Sequence, residues 1–228
     1  MKTLMIGKQK GGIGASTIVR ELAVAAAQDG LRVALLDLDP QRTTAKWWNR
    51  RTRGKGGTPN PNLAEVEPSA VAGLLQRISA SQDILIIDTP PSVHPYIGGM
   101  MRLADAILVP SRPTTDDLDA LPPVLDLISA AGRGGAWAFC MTQGAPAKSR
   151  LVDDALTALA RRGRVGPPLR WRADFPSAAS TGKTTLEAVP KSKAATEVRE
   201  LWRYVADDLL HISQPPSVMV SHDGNVAV

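Results

Sequence analysis

The chain carries one cysteine in 228 residues, Cys140, and places it inside an apolar run. That excludes a disulfide framework or a cysteine-held cluster within one chain, and predicts a buried thiol in a reducing cytoplasm. No apolar run reaches about 18 residues, so no membrane-spanning helix is expected. The opening Met1-Lys2-Thr3 leads straight into a strand-like run, which leaves no room for a signal peptide. Internal repeats are absent, as is any shift of composition that would mark a second domain. What remains is 43% hydrophobic and 21% charged, with a net charge of +5. This suits one α/β domain with a substantial core, and the charge suits a polyanionic partner.

The stretch that organises the rest is Lys10-Gly11-Gly12-Ile13-Gly14-Ala15-Ser16-Thr17. It follows the apolar Leu4-Met5-Ile6 and precedes Ile18, Leu22, Ala25 and Ala26 at helical spacing. Strand, glycine-rich turn and helix together make a phosphate cradle, in which backbone N–H groups and a helix N-terminus face an anion. Ser16 or Thr17 can offer a hydroxyl to Mg²⁺. Such a loop ends Gly-Lys-Ser/Thr, but here the lysine position is Ala15.

Further apolar runs at Val33–Leu36, Leu63–Val66, Ile84–Ile87, Ile107–Val109 and Trp137–Met141 predict parallel strands, several of them continuous as strands covered on both faces should be. Between them, helices are predicted over Ala70–Ser79 (capped by Ser69), Asp116–Ser129 (with Pro122-Pro123 near its start or at a kink), Lys148–Arg162 and Ala194–Leu210. Asp29-Gly30 should end the first helix. The alternation implies an α/β fold, a doubly wound, mainly parallel sheet flanked by helices, forming one domain over residues 1–212. Arg50–Asn62 reads as a basic loop rich in glycine and proline, and 213–228 as a disordered tail.

Two runs end in carboxylates, Leu36-Asp37-Leu38-Asp39-Pro40-Gln41 and Ile87-Asp88-Thr89-Pro90-Pro91. At the C-terminal edge of a parallel sheet these acids share a crevice with the glycine-rich turn, where they can serve Mg²⁺ or an attacking water. Either acid alone could merely cap the next turn. Together with the loop, they resemble the ParA branch of the deviant Walker ATPases, which partition plasmids and chromosomes or position other cargo. The likeness runs from about residue 2 to residue 210. It includes Trp47 and a late Arg172…Gly182…Glu187 stretch, and matches the short form without an N-terminal DNA-binding extension.

The resemblance implies a P-loop NTPase-like fold, ATP/ADP and Mg²⁺ as cofactors, and ATP hydrolysis within a nucleotide-sandwich dimer. Lys10 matches the signature lysine that reaches the partner's phosphates, and Gly12 faces the dimer junction. Gly11, Gly12, Ile13, Gly14, Ala15, Ser16 and Thr17 would bind nucleotide; Ser16, Asp37 and Asp88 would serve Mg²⁺; Asp39 would position the attacking water. Gln41, Thr142 and Gln143 lie near positions that could contact nucleotide or partner. Implied partners are non-specific DNA and a ParB-like centromere- or cargo-binding activator, in a cytoplasmic, nucleoid-associated protein without stable membrane association. A MinD-like membrane switch and a non-hydrolysing nucleotide-dependent scaffold are the rival readings.

Ala15 departs from the family pattern, and a missing lysine there should impair the cycle. One account is an engineered lysine-to-alanine substitution, the favoured one. The other is a natural chain that uses Lys10, Lys8 or a distant lysine. Lys183, in Thr181-Gly182-Lys183-Thr184-Thr185, imitates a phosphate-loop ending but lacks the preceding strand, and reads as a surface loop. Between Arg161 and Arg203 ten Lys/Arg face four Asp/Glu, an excess larger than that of the whole chain. Arg170, Arg172, Lys183, Lys191, Lys193, Arg199 and Arg203 are therefore candidates for DNA phosphate contact, against the bland alternative of solvated helix faces. Residues 42–55 add six basic residues and no acid. Trp47 and Trp48 there could stack on bases, but packing against a helix or dimer partner is the expected role.

Overall fold

The computed structural model describes residues 1–53, 59–91 and 94–212. The middle of the expected basic loop and the expected tail lie outside the described residues. Seven parallel strands form one sheet: β1 (Lys2–Ile6), β2 (Val33–Asp37), β3 (Asn62–Ala64), β4 (Ile84–Asp88), β5 (Ala106–Ser111), β6 (Trp137–Thr142) and β7 (Val165–Leu169). Their order is β3-β2-β4-β1-β5-β6-β7. β2, β4 and β5 are buried along their whole length. Helices on both faces therefore select continuous apolar runs rather than alternation.

Alternate residues feed two cores. Leu4, Ile6, Leu35, Ile84, Ile86 and Leu108 pack under α1 (Ala15–Gln28) and α10 (Lys193–Tyr204). Met5, Leu36, Leu85, Ile87, Ile107 and Val109 pack under α3 (Val71–Ile78), α4 (Ile97–Leu103), α6 (Pro122–Ala130) and α7 (Arg150–Ala160). Each fully buried Leu or Ile contributes roughly 1.5–3 kcal/mol. α1 is the central helix, and alanines at 23, 25 and 26 let it lie close against the sheet.

Several expectations need correction. Arg50–Thr52 are not loop but the end of a helix, α2 (Thr43–Thr52), and Asn62 already belongs to β3. Ser69 does not cap a helix: it sits inside a 3₁₀ turn, Pro68–Ala70, that leads into α3. The expected helix Asp116–Ser129 is two helices. α5 (Thr115–Asp119) is capped by the Thr114 side chain, and α6 begins at Pro122-Pro123, where proline needs no N–H partner. The last helix ends as α10 at Tyr204 and continues only as a π-helical turn, Val205–Leu209. β7 was not foreseen, because Pro167 and Pro168 argue against a strand. It is an edge strand, where a missing donor is tolerated.

Candidate functional site

The loop between β1 and α1 leaves the sheet at its C-terminal edge. Gly12 and Gly14 hold φ of +75° and +85°, a region that β-carbons disfavour. A β-carbon on Gly12 would meet nothing within 4 Å among the described residues, so the exposed Gly12 surface has room for another molecule. Two side chains from the end of β6 brace the loop from behind. Thr142 Oγ1 donates to the Ile13 carbonyl at 2.7 Å, and Gln143 Nε2 donates to the Gly12 carbonyl at 2.7 Å. With those carbonyls turned toward β6, the positive end of α1 opens on a cleft of about 330 Å³. Gly11 through Thr17 line it together with Lys8, Arg20, Asp39, Gln41 and Gln143. Ala15 is the first residue of α1 and belongs to the hydrophobic core.

Sheet register brings the predicted acids together: Asp37 lies opposite Asp88, and Asp88 opposite Ile6. Asp37 accepts the Asp39 N–H at 3.1 Å and the Ala45 N–H at 2.9 Å, which fixes the turn from β2 into α2. Burial raises the Asp37 pKa and Asp88 adds to the effect, against the two backbone donors. Asp39 accepts the Gln41 N–H at 2.8 Å. Asp88 is fully buried and accepts from Thr44 Oγ1 at 2.7 Å.

A lysine joins these acids. Lys8 Nζ donates to Asp39 at 2.8 Å and to Asp88 at 3.0 Å, with only 5% of its side chain exposed. Burial works against its charge, but Asp88 and Asp39 outweigh burial and hold its pKa above the ordinary value. A second buried cation, Arg20 of α1, donates to Thr17 Oγ1 at 3.1 Å. Among the described residues no three His, Cys, Asp or Glu are placed to share a metal ion. The donor set fits Mg²⁺ in the sparse manner of nucleotide sites, with one hydroxyl or carboxylate completed by phosphate oxygens and water. Ser16, in the first turn of α1, lines the cleft and offers such a hydroxyl, whereas Asp88 lies buried behind it with its oxygens held by Lys8 and Thr44.

Lys10 does not join this group. Its Nζ donates to the Asp116 carbonyl at 2.7 Å and lies 3.6 Å from Asp117, which is also held by Arg112 at 2.6 Å. A smaller cleft of about 180 Å³ adjoins the loop, lined by Gly14, Thr17, Thr142, Gln143, Leu169, Trp171 and Phe175 among others. Arg170 and Arg172 line it too, and both converge on Glu197 of α10, at 3.3 Å and 2.6 Å. Both are thus paired with a buried acid, yet they also line, with Lys193 and Lys148, a further cleft of about 460 Å³ beside α10. Lys183, Lys191, Lys193, Arg199 and Arg203 are exposed, the last three along one side of α10.

The reading of Thr181–Thr185 as a surface loop holds only for Lys183 among its central residues. Gly182 packs against the α2 backbone, Thr184 and Thr185 are buried, and Thr184 opens α9 (Thr185–Ala188) in a capping box with Glu187. Glu187 also pairs with Arg51 at 2.7 Å. Trp47 is wholly buried and donates to the Lys183 carbonyl at 3.1 Å, so it packs and does not stack on bases. Trp48 donates to the Pro61 carbonyl at 3.0 Å. The sequence reading missed Glu197, Thr44 and Arg20, and named Lys8 only as one substitute cation among several. Its position two residues beyond a strand whose neighbour ends in Asp88 was the available signal.

Residues 4–186 match the family of CobQ/CobB/MinD/ParA nucleotide binding domains. The chain is 27% identical over 151 residues to a protein named ParA from Rhizobium radiobacter, covering 64% of this chain and 67% of that one. It is 30% identical over 132 residues to maintenance of carboxysome distribution protein A from Halothiobacillus neapolitanus, covering 57% and 59%. The chain thus spans about three fifths to two thirds of the length of these relatives. Its fold superposes on the McdA–ATP complex from Cyanothece with a TM-score of 0.70 at 19% identity, covering 92% of this chain and 96% of that one. With its parallel sheet, its glycine-rich loop and this match over most of its length, the chain belongs to the CobQ/CobB/MinD/ParA nucleotide-binding domain family.

Proposed function

We propose that the chain is a ParA-like ATPase that dimerises around ATP, binds DNA without sequence preference and is discharged by a partner protein. One observation carries this reading: the positive end of α1 opens on a cleft lined also by Lys8 and Asp39, with Asp88 buried behind the Lys8 ammonium group. Gly11 through Thr17 would wrap the phosphates, and the adjoining smaller cleft has the position and the mixed lining for the rest of the nucleotide. Ser16 would serve Mg²⁺ directly. Asp37, whose oxygens already hold two backbone N–H groups, and Asp88, whose oxygens are held by Lys8 and Thr44, would act through water. Asp39 would orient the attacking water.

Lys10 would leave Asp116 and reach the phosphates bound by a second copy, across the open surface at Gly12. Lys183, Lys191, Lys193, Arg199 and Arg203 would meet DNA phosphates. Arg170 and Arg172 would instead shape the nucleotide cleft through Glu197. Cargo could be DNA or another body carried over it, and a ParB-like protein would stimulate hydrolysis. Ala15 removes the loop's own cation. With nothing in exchange, phosphate binding would weaken by roughly one to two decades and turnover would slow.

Calorimetry with ATP and Mg²⁺, light scattering with and without ATP, and DNA binding across a salt series test the reading. ATP-dependent dimers that bind DNA support it. A chain that binds DNA equally well with and without nucleotide, and stays monomeric with ATP, refutes it.

A further inference from the structure

We propose that Lys8 supplies the phosphate-directed charge that the loop lacks at Ala15, an inference that rests on the nucleotide reading above. Ala15 has no cation to offer and its side chain is packed into the core. Lys8 is 7% exposed, lines the same cleft, and holds its ammonium group between Asp39 and Asp88. An ammonium group has three donors. Two are used by the carboxylates, which leaves one for a phosphate oxygen without breaking either pair.

Charge balance points the same way. Asp37, Asp39 and Asp88 face this edge of the sheet, and a triphosphate would add several further negative charges. A P-loop with lysine at its usual place sets one ammonium group among them. Lys8 does so from the other side of the loop, so the site keeps its charge although the lysine has moved. Burying an ammonium group is costly unless it is paired, and here both partners are acids of the candidate site. Arg20 is the other buried cation on this wall, but its contact is to Thr17 on the flank of α1 and not to the acids. On this account Ala15 is native to a working site, and the engineered-substitution account loses its main support.

The test is a double-mutant cycle on ATP affinity, measured by calorimetry with Mg²⁺ for the unaltered chain, Lys8→Met, Ala15→Lys and the pair combined. Thermal unfolding of each accompanies it. Lys8→Met should weaken ATP binding roughly 10–100-fold. Adding Ala15→Lys to Lys8→Met should recover most of that loss, whereas Ala15→Lys alone should change affinity by less than about threefold. Should Lys8→Met fail to fold, the Ala15→Lys chain still decides. A tenfold gain there, with Lys8 intact, overturns the proposal, as does unchanged binding by a folded Lys8→Met or a loss seen only on Arg20→Leu. If Ala15→Lys binds ATP and the unaltered chain does not, the nucleotide reading stands and the role of Lys8 falls. If none of the four binds ATP, both fall together.

Discussion

Replacing Glu21 with glutamine should change how the stability of this chain depends on pH. Glu21 lies on α1, 3% exposed, and accepts the Thr185 N–H at 3.1 Å and Thr185 Oγ1 at 2.7 Å. It ties the helix behind the phosphate loop to α9. Burial pushes its pKa up to about 7 from 4.5, with the Thr185 donors acting in the opposite direction. Between those values the folded chain holds a proton that the unfolded chain has lost. The stabilisation is therefore complete below the unfolded pKa and disappears as pH rises through about 7. A shift of that size corresponds to about 3 kcal/mol across the window, at about 1.4 kcal/mol per unit.

Glutamine keeps the shape and an acceptor but does not titrate. Urea unfolding of both chains between pH 5 and pH 8 isolates the term, because the other carboxylates are common to both and cancel in the difference. The glutamine variant should gain on the unaltered chain by roughly 1 kcal/mol per unit up to neutrality and level off above it. Parallel profiles, with a difference constant to within about 0.5 kcal/mol, would refute the reasoning and mean that the Thr185 donors alone keep Glu21 ionised.

Two of the left-handed glycines, Gly182 and Gly12, separate folding from assembly. Gly182→Ala would place a β-carbon 2.5 Å from the Arg51 nitrogen at φ +73°, and should lower unfolding free energy by roughly 2–4 kcal/mol in urea titrations. Gly12→Ala meets no atom within 4 Å among the described residues, so it should cost only about 1–2 kcal/mol of strain while abolishing ATP-dependent dimers in light scattering. Lys10→Ala should leave ATP affinity of the monomer within about threefold, since its ammonium group contacts Asp116 and not the cleft, yet it should also remove dimerisation. Charge reversal at Lys193, Arg199 and Arg203 should weaken DNA binding and flatten the plot of log affinity against log salt by about three per protomer. An unchanged slope would mean that α10 faces solvent in the complex.

The linear order of residues determined the sheet and the position of the site. Apolar runs that end in Asp37 and Asp88, and one that ends in a glycine-rich turn, announce strands whose C-terminal ends share an edge, because a helix between parallel strands returns the chain to the same side each time. Glycines at 12 and 14 announce a loop that a β-carbon would strain. Pairings distant in sequence were not legible in this way. Lys8 reads as a loop residue until the order β2-β4-β1 sets it beside Asp39 and Asp88. Arg170 and Arg172 read as part of a basic surface until packing of α10 brings Glu197 beneath them. Thr184 and Thr185 read as a loop until Glu21 and Arg51 meet their segment. Local pattern reports which backbone a segment prefers, while the partner of a charge is fixed only when the sheet order and the helix packing are complete.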